Sequence, residues 1–264
     1  KRPKVFILEN VKGLVTMNNG KHVRKILKAL GDIKQRGYKL NSDGVRGETT
    51  YTNSSAYEIH HQVLNTKDHG IPQSRPRWYC VGIRKDTLKG AEQSSFEFPK
   101  AIPCPSIEMF LEDSEKRIPS SKVGKTARIN IDKARSQIIS SGNKPDDEPY
   151  IVDCDASKAK SRHVFDFSPC ITRSRYNGHW ITSRQRRMTK EEMFRLQGMD
   201  PTKFVVAVPQ NSLGQQVGNA MSVNVIERVL SRALKAANLT QFYQAPLQEL
   251  DIKDRWELGI GQKE

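Results

Sequence analysis

Apolar and polar positions alternate in several distinct rhythms along this chain. Val5-Phe6-Ile7-Leu8 is an unbroken apolar run that stops at Glu9-Asn10-Val11. Such a run predicts a parallel strand covered on both faces. From about Gly20 to Arg36 the rhythm changes, with Val23, Ile26, Leu27, Leu30 and Ile33 on one face and Lys or Arg on the other. That spacing predicts a helix which Gly37 stops. Strand followed by helix begins a doubly wound layer, so an α/β class is expected. Residues 41–56 are rich in Ser, Thr, Asn and Gly and predict a mobile surface loop. Ile59–Leu64 and Trp78–Ile83 read as strands.

The pattern is patchy from Lys85 to about Thr182 and predicts a second, smaller, loop-rich domain, with an exposed turn at residues 141–145. Thr189-x-x-Glu192 is a capping box opening a short helix through Met193, Phe194 and Leu196, which Gly198 ends. A polar connection follows over 199–214. Gly218-Asn219-Ala220 then reads as a tight turn opening a helix with Val223, Ile226, Val229 or Leu230, and Leu234 on one face. Residues 239–264 form a mixed tail with no clear pattern.

Charge narrows the partner. Lys plus Arg number 44 against 29 Asp plus Glu, a net +15 over 264 residues. This excess favours a polyanion, nucleic acid before membrane, through phosphate neutralisation. No apolar run approaches the roughly 18 to 20 residues of a membrane span. Cys80, Cys104, Cys154 and Cys170 stand far apart without C-x-x-C spacing, so neither a zinc site nor a disulfide framework is indicated. An intracellular, reducing home is expected. The apolar strand at the very start suggests the C-terminal part of something longer.

Three segments carry candidate chemistry. Glu9 and Asn10 end a strand, where α/β sheets commonly place ligands. Gln73, Arg75 and Arg77 alternate, so an extended backbone would point all three to one side as a donor array for carbonyls and phosphates. Between Lys158 and Lys190 basic residues are interleaved with Tyr176, His179 and Trp180, a composition suited to a loop pressed on a nucleic-acid backbone or groove. Cys104, in Pro103-Cys104-Pro105, has no base placed near it by any pattern and is not read as a nucleophile.

Taken in order, these segments resemble the DNA cytosine-C5 methyltransferases. Glu9-Asn10-Val11 is similar to the family's ENV motif, and Gln73-x-Arg75-x-Arg77 to its QxRxR motif. Arg187-Met-Thr189-x-x-Glu192-x-x-Arg195-Leu196-Gln197-Gly198 resembles the motif closing the target-recognition domain. Gly218-Asn219-Ala220 resembles the final motif, which returns to the cofactor pocket. The resemblance implies a Rossmann-like S-adenosylmethionine-dependent methyltransferase sheet, here incomplete, plus a small loop-rich target-recognition domain. It places 1–88 in the C-terminal half of the catalytic domain, 89–183 in the recognition domain, 184–238 in the return to the catalytic domain, and leaves 239–264 as a tail.

The chemistry implied is methyl transfer from S-adenosylmethionine to C5 of a cytosine flipped out of duplex DNA. In the family a Cys thiolate adds to C6, a carboxyl at N3 assists that addition, and a base later removes the C5 proton. On this resemblance Glu9 is the N3 partner, Asn10 and Val11 shape the pocket, and Arg77 meets the cytosine O2. Arg75 and Gln73 would hold the active-site loop and a neighbouring phosphate, with Arg75 counted in the catalytic set. Asn219 and Ala220 would line the methionine end of the cofactor site. Arg173, Arg175 and Trp180, with Arg187 beside them, are candidate DNA contacts from composition and position. No metal is implied. Glu9, Arg77 and Asn219 are expected around one cleft, in a protein working with DNA in nucleus or nucleoid.

The departures matter. The family's glycine-rich cofactor loop, ribose-gripping acidic residue and Pro-Cys nucleophile all precede ENV, and none is in this sequence. Pro103-Cys104 lies in the wrong place, loop 41–56 is long, and Met199-Asp200 replaces an aromatic-Pro ending. The expectation is therefore a portion of an enzyme, with an N-terminal partner chain carrying the nucleophile as one arrangement, and inactive in isolation. Two alternatives stand beside it. One is a non-catalytic DNA-binding module. The other is a tRNA cytosine-C5 methyltransferase portion, for which Cys170-Ile171-Thr172 half matches the expected signature.

Overall fold

The computed structural model describes residues 2–40, 46–88, 94–113, 123–240 and 256. Its elements run β1 (Val5–Val11), α1 (Gly13–Thr16), α2 (Lys21–Gly31), β2 (Lys34–Leu40), β3 (Arg46–Ser55), β4 (Tyr57–Asn65), β5 (Gln73–Ser74) and β6 (Pro76–Arg84). They continue through α3 (Lys125–Ser140), β7 (Tyr150–Val152), β8 (His163–Phe165), β9 (Ser168–Pro169), β10 (Trp180–Ile181), β11 (Arg186–Arg187), α4 (Lys190–Leu196), α5 (Gln210–Asn219) and α6 (Val223–Ala236). The chain forms two compact units. The first holds Lys1–Leu64, Pro76–Pro99 and Glu227–Ile252; the second holds Asn65–Arg75, Lys100–Ile226 and Lys253–Glu264.

In the first unit β1, β6 and β4 make a three-stranded sheet in that order. β6 is central and supplies buried Trp78, Tyr79, Cys80, Val81 and Ile83. β1 pairs with it antiparallel, from Val5 opposite Ile83 to Val11 opposite Arg77. The parallel, doubly covered strand expected here is thus corrected. An apolar run announces apolar neighbours but not the direction of pairing. Gly82 permits this register, because a Cβ there would lie closer than 3.0 Å to the Phe6 ring.

Helix α2 packs Val23, Ile26, Leu27 and Leu30 with Trp78, Cys80, Ile59 and Val63. It ends at Gly31, with the Asp32 N–H on the Lys28 carbonyl, rather than reaching Arg36. Residues Lys34–Leu40 turn instead into a hairpin with β3, and Gly37 is a strand residue paired with Thr50. Most of the expected loop 41–56 is consequently strand β3; its first five residues, 41–45, lie outside the described residues. The Thr-Thr-Tyr-Thr run at 49–52 has the β-branched and aromatic character that a paired backbone favours.

The second unit carries an antiparallel sheet in the order β11-β10-β7-β8. The 16-residue helix α3 packs Ala127, Ile131 and Ala134 against Val152, Cys154 and Trp180. This helix was not expected, because its buried face includes two Ala and Asn130, which dilute the apolar signal. A larger core gathers Ile71, Ile107, Phe110, Ile151, Ile171, Ile181, Met193, Leu196, Leu213, Val217 and Trp256. Helix α4 begins with the expected capping box. The Thr189 hydroxyl accepts the Glu192 N–H at 3.1 Å, and the Glu192 carboxylate accepts the Thr189 N–H at 2.8 Å. The last five residues of the expected polar connection, 210–214, belong to helix α5 (Gln210–Asn219), whose Leu213, Gly214, Val217 and Gly218 face is buried. Gly218-Asn219-Ala220 therefore closes α5 before α6 begins, instead of opening a helix.

Candidate active site

β1 positions Glu9 opposite Tyr79, and the same register sets Val11 opposite Arg77. Directly opposed residues share a face, and so do residues two apart, so Glu9 and Arg77 are diagonal neighbours on one side of the sheet. The Glu9 carboxylate oxygen lies 3.2 Å from Arg77 Nε, with both side chains partly buried. Asn10 and Val11 face solvent at this strand end, and the Asn10 amide oxygen accepts the Val11 N–H at 2.8 Å. Val11 is 52 % exposed, a large apolar side chain with little cover in this unit.

In the second unit, Gln73 and Arg75 meet a different environment. Gln73 is fully buried; its amide donates to the Leu196 carbonyl at 2.6 Å and accepts the Ile171 N–H at 3.0 Å. Arg75 is also buried. Its guanidinium donates to the carbonyls of Ile171 at 2.6 Å, Ala220 at 2.7 Å and Gly218 at 3.2 Å. The alternation expected of Gln73, Arg75 and Arg77 therefore does not hold. β5 covers only Gln73 and Ser74, β6 starts at Pro76, and Arg75 stands between them. Gln73 and Arg75 brace backbone and do not present a phosphate-facing array; Arg77 alone reaches Glu9.

The α5–α6 corner is held from several sides. Gln197 donates to the Val217 carbonyl at 2.7 Å, the Ser222 and Thr66 hydroxyls lie 2.7 Å apart, and Asn224 donates to the His69 carbonyl at 2.7 Å. At this braced corner Asn219 stays exposed and Ala220 half-buried. An apolar recess of about 300 Å³ lies beside Ala220, lined among others by Phe194, Met199, Leu213 and Val217. Asn219 belongs to the second unit, whereas Glu9 and Arg77 belong to the first. Gln197 stands in the recognition-closing motif, but the bracing roles of Gln197, Ser222 and Asn224 were not read from the sequence. Each is an ordinary polar residue, and no spacing marks it as part of a buried network.

Of the four candidate DNA contacts, Arg173 alone is exposed, with its Nε 3.4 Å from the Gln215 side-chain oxygen. Arg175 pairs with Asp153, its Nη2 3.1 Å from the second carboxylate oxygen. Arg187 is buried, bidentate on Asp155 at 2.6 and 2.8 Å, and also donates to the Gly178 carbonyl. Trp180 is 6 % exposed and packs in the α3 core. These three residues thus serve the interior of the second unit, because Asp153 and Asp155 on the chain following β7 neutralise the two arginines locally. Between them lies buried His179, whose imidazole burial pulls down to about 4 against the opposing pull of Asp153, 3.8 Å away.

Cys104 reaches solvent, yet its partial desolvation, with Asp166 and Asp68 acting in the same direction, pushes its thiol up to about 11. A nucleophile needs thiolate, and this environment withholds it. Among the described residues no group of His, Cys, Asp and Glu is placed to hold a metal. Among them, too, no helix is long and apolar enough to cross a membrane.

The fold is the α/β fold of the S-adenosylmethionine-dependent methyltransferases. Among solved structures it is similar to that of the Entamoeba histolytica methyltransferase EhMeth, with a TM-score of 0.51 at 15 % identity, covering 89 % of this chain and 63 % of that one. The particular family follows from the sequence: residues 1–235 match the model for C-5 cytosine-specific DNA methylases, and the chain belongs to that family. It is 30 % identical over 247 residues to type II methyltransferase M.HaeII of Haemophilus aegyptius, covering 93 % of this chain and 66 % of that protein. It is 29 % identical to M.HpaII of Haemophilus parainfluenzae, over 90 % of this chain and 62 % of that protein. For M.MspI of a Moraxella species the figures are 25 %, 96 % and 51 %. The chain thus spans between half and two thirds of the length of these relatives.

Proposed function

We propose that this chain supplies the base-gripping and DNA-recognising portion of a DNA cytosine-C5 methyltransferase. The observation that carries the reading is the Glu9–Arg77 pair, held 3.2 Å apart on one sheet face. N3 and O2 of cytosine are adjacent on the ring, so a carboxyl and a guanidinium side by side match that edge. Glu9 gives N3 a proton or hydrogen bond, and Arg77 donates to O2. Both withdraw electron density from the ring and make C6 a better acceptor for a thiolate. A base extruded from the duplex is the substrate form that exposes this edge. S-adenosylmethionine, when bound, supplies the methyl group. Asn219 offers its methionine end an exposed amide, Ala220 a small wall, and the braced corner keeps both in place.

The nucleophile lies outside this chain on our reading. The high thiol of Cys104 supports that assignment, as does the length matched in the relatives. β1 supports it too. Among the described residues β1 has β6 as its one sheet neighbour, and it leaves Leu8 38 % exposed. Such an edge accepts a further strand from the rest of the enzyme, whether in the same polypeptide or a partner chain. The +15 charge supplies the phosphate-binding term, and the setting is that of a DNA-bound protein inside the cell.

The test mixes the chain with duplex DNA and labelled S-adenosylmethionine, alone and with a second polypeptide carrying a glycine-rich loop and a Pro-Cys motif. Methyl transfer is expected only in the mixture, and Glu9→Gln should lower its rate by roughly 10²- to 10⁴-fold. Transfer by the chain alone, abolished by Cys104→Ser, would overturn the assignment. Preferential binding of transfer RNA over duplex DNA would favour the RNA-directed alternative, and DNA binding without transfer in any mixture the non-catalytic one.

A further inference from the structure

Helix α5 meets the recognition segment without side chains in between. Gly214 and Gly218 lie four residues apart, so they share a face of the helix. A Cβ built at Gly214 would stand closer than 3.0 Å to the Tyr176 carbonyl, and one built at Gly218 would stand 2.6 Å from the Arg173 nitrogen and closer still to Thr172. The backbone of residues 172–176 therefore rests directly on bare helix. Two cations complete the seat. The Lys190 ammonium donates to the Tyr176 carbonyl, and Arg75 joins the Ile171 carbonyl to those of Gly218 and Ala220. The 3-10 turn Arg173–Arg175 sits at the centre of this contact, with Arg173 directed outward.

We propose that Gly214 and Gly218 are positioning residues for DNA recognition: α5 is the seat that sets where the 172–176 loop, and hence Arg173, meets DNA. This rests on the reading of the chain as a DNA-binding methyltransferase portion. The helix that ends in Asn219 thereby fixes the recognition loop as well, so one rigid element serves both. Neither glycine has the positive φ that would demand glycine for its backbone. Inside a helix, Gly costs roughly 1 kcal/mol relative to Ala, so close approach is the reason for glycine at both places.

The substitution Gly214→Ala separates this from a plain helix role. If Gly214 were only a helix residue, alanine would raise the melting temperature and change nothing else. As a seat, alanine pushes the loop away. Hydrogen exchange should then accelerate at residues 172–178 with α3 and the β7–β10 sheet unchanged. Duplex-DNA affinity at fixed salt should fall about as far as in Arg173→Ala, roughly three- to tenfold, and the salt slope should drop by about 1. The double variant should bind no worse than either single one, because Gly214 acts through Arg173. Additive losses, or a Gly214→Ala chain with normal loop protection and binding, overturn the proposal. If the unaltered chain binds no duplex DNA, the functional reading fails while the exchange data still decide the seat. Should Gly214→Ala not fold, Lys190→Gln removes the cation from the Tyr176 carbonyl, leaves the helix intact, and must give the same exchange pattern in a milder form.

Discussion

Arg75 and Arg77 are two residues apart, chemically identical and parts of one motif, yet their surroundings have little in common. Arg77 lies in the first unit on a strand face, partly open to water, beside the Glu9 carboxylate, and its Nη1 donates to the Pro76 carbonyl at 3.0 Å. Arg75 lies in the second, buried, with three backbone carbonyls as acceptors. On the function proposed above, the comparison separates a group assigned to the base from a group that holds the scaffold. A guanidinium whose donors are already used inside the protein has little left for a phosphate. One that pairs with a half-buried carboxylate can exchange that partner for a base edge at small cost.

The largest effect should come from Arg75→Ala. It takes the donor from two buried carbonyls, Ile171 and Gly218, and from the partly buried Ala220 carbonyl, and we expect a loss of about 4 kcal/mol in urea unfolding, with Arg75→Lys restoring only a fraction because ammonium lacks the planar fork. A loss below about 1 kcal/mol would remove the distinction between the two arginines.

His179 sharpens the contrast between interior and surface in the second unit. Its folded value is about 4, whereas an unfolded histidine titrates near its ordinary 6.5. Between those limits the unfolded chain binds the extra proton, so stability falls as pH drops from 6.5 toward 4 and is unaffected by this group above 6.5. The interval corresponds to about 3 kcal/mol. Urea melts at pH 7, 5.5 and 4.5 should show this decline, and His179→Gln should flatten it; parallel pH profiles for the two proteins would exclude the buried neutral imidazole.

Smallest in stability is Arg77→Ala, expected to cost under about 1 kcal/mol as a partly exposed ion pair. Its consequence belongs to chemistry. In the reconstituted mixture kcat should fall while duplex binding by this chain stays within about twofold. A stability loss equal to that of Arg75→Ala would contradict the division of roles.

Much of this was legible along the chain. The strand at Trp78–Ile83 and the α4 capping box rest on local rules, and the structure has both where the pattern put them. Helix α2 was legible in position but not in length, since Gly31 and the alternation after Ile33 outweighed a periodicity that still continued. Helix α3 was not legible, because Ala and Asn occupy positions where a pattern reader looks for Leu or Ile. Arg175, Arg187 and Trp180 looked like surface chemistry in a basic, aromatic stretch. Asp153 and Asp155, 22 and 32 residues earlier, took both arginines inward, and α3 covered the tryptophan.

What the amino-acid order determined alone is the family, the class of fold, and Glu9 and Arg77 as residues of interest. Each rests on residues near one another in sequence or on motifs in a set order. Which arginines are exposed and which are buried, that Gly218-Asn219 ends one helix before another begins, and that bare glycines seat the 172–176 loop were decided only in three dimensions. The physical reason is that a side chain's availability depends on what desolvates it and which acceptors reach it. Those neighbours are brought together by packing across long stretches of chain, where no local periodicity records them.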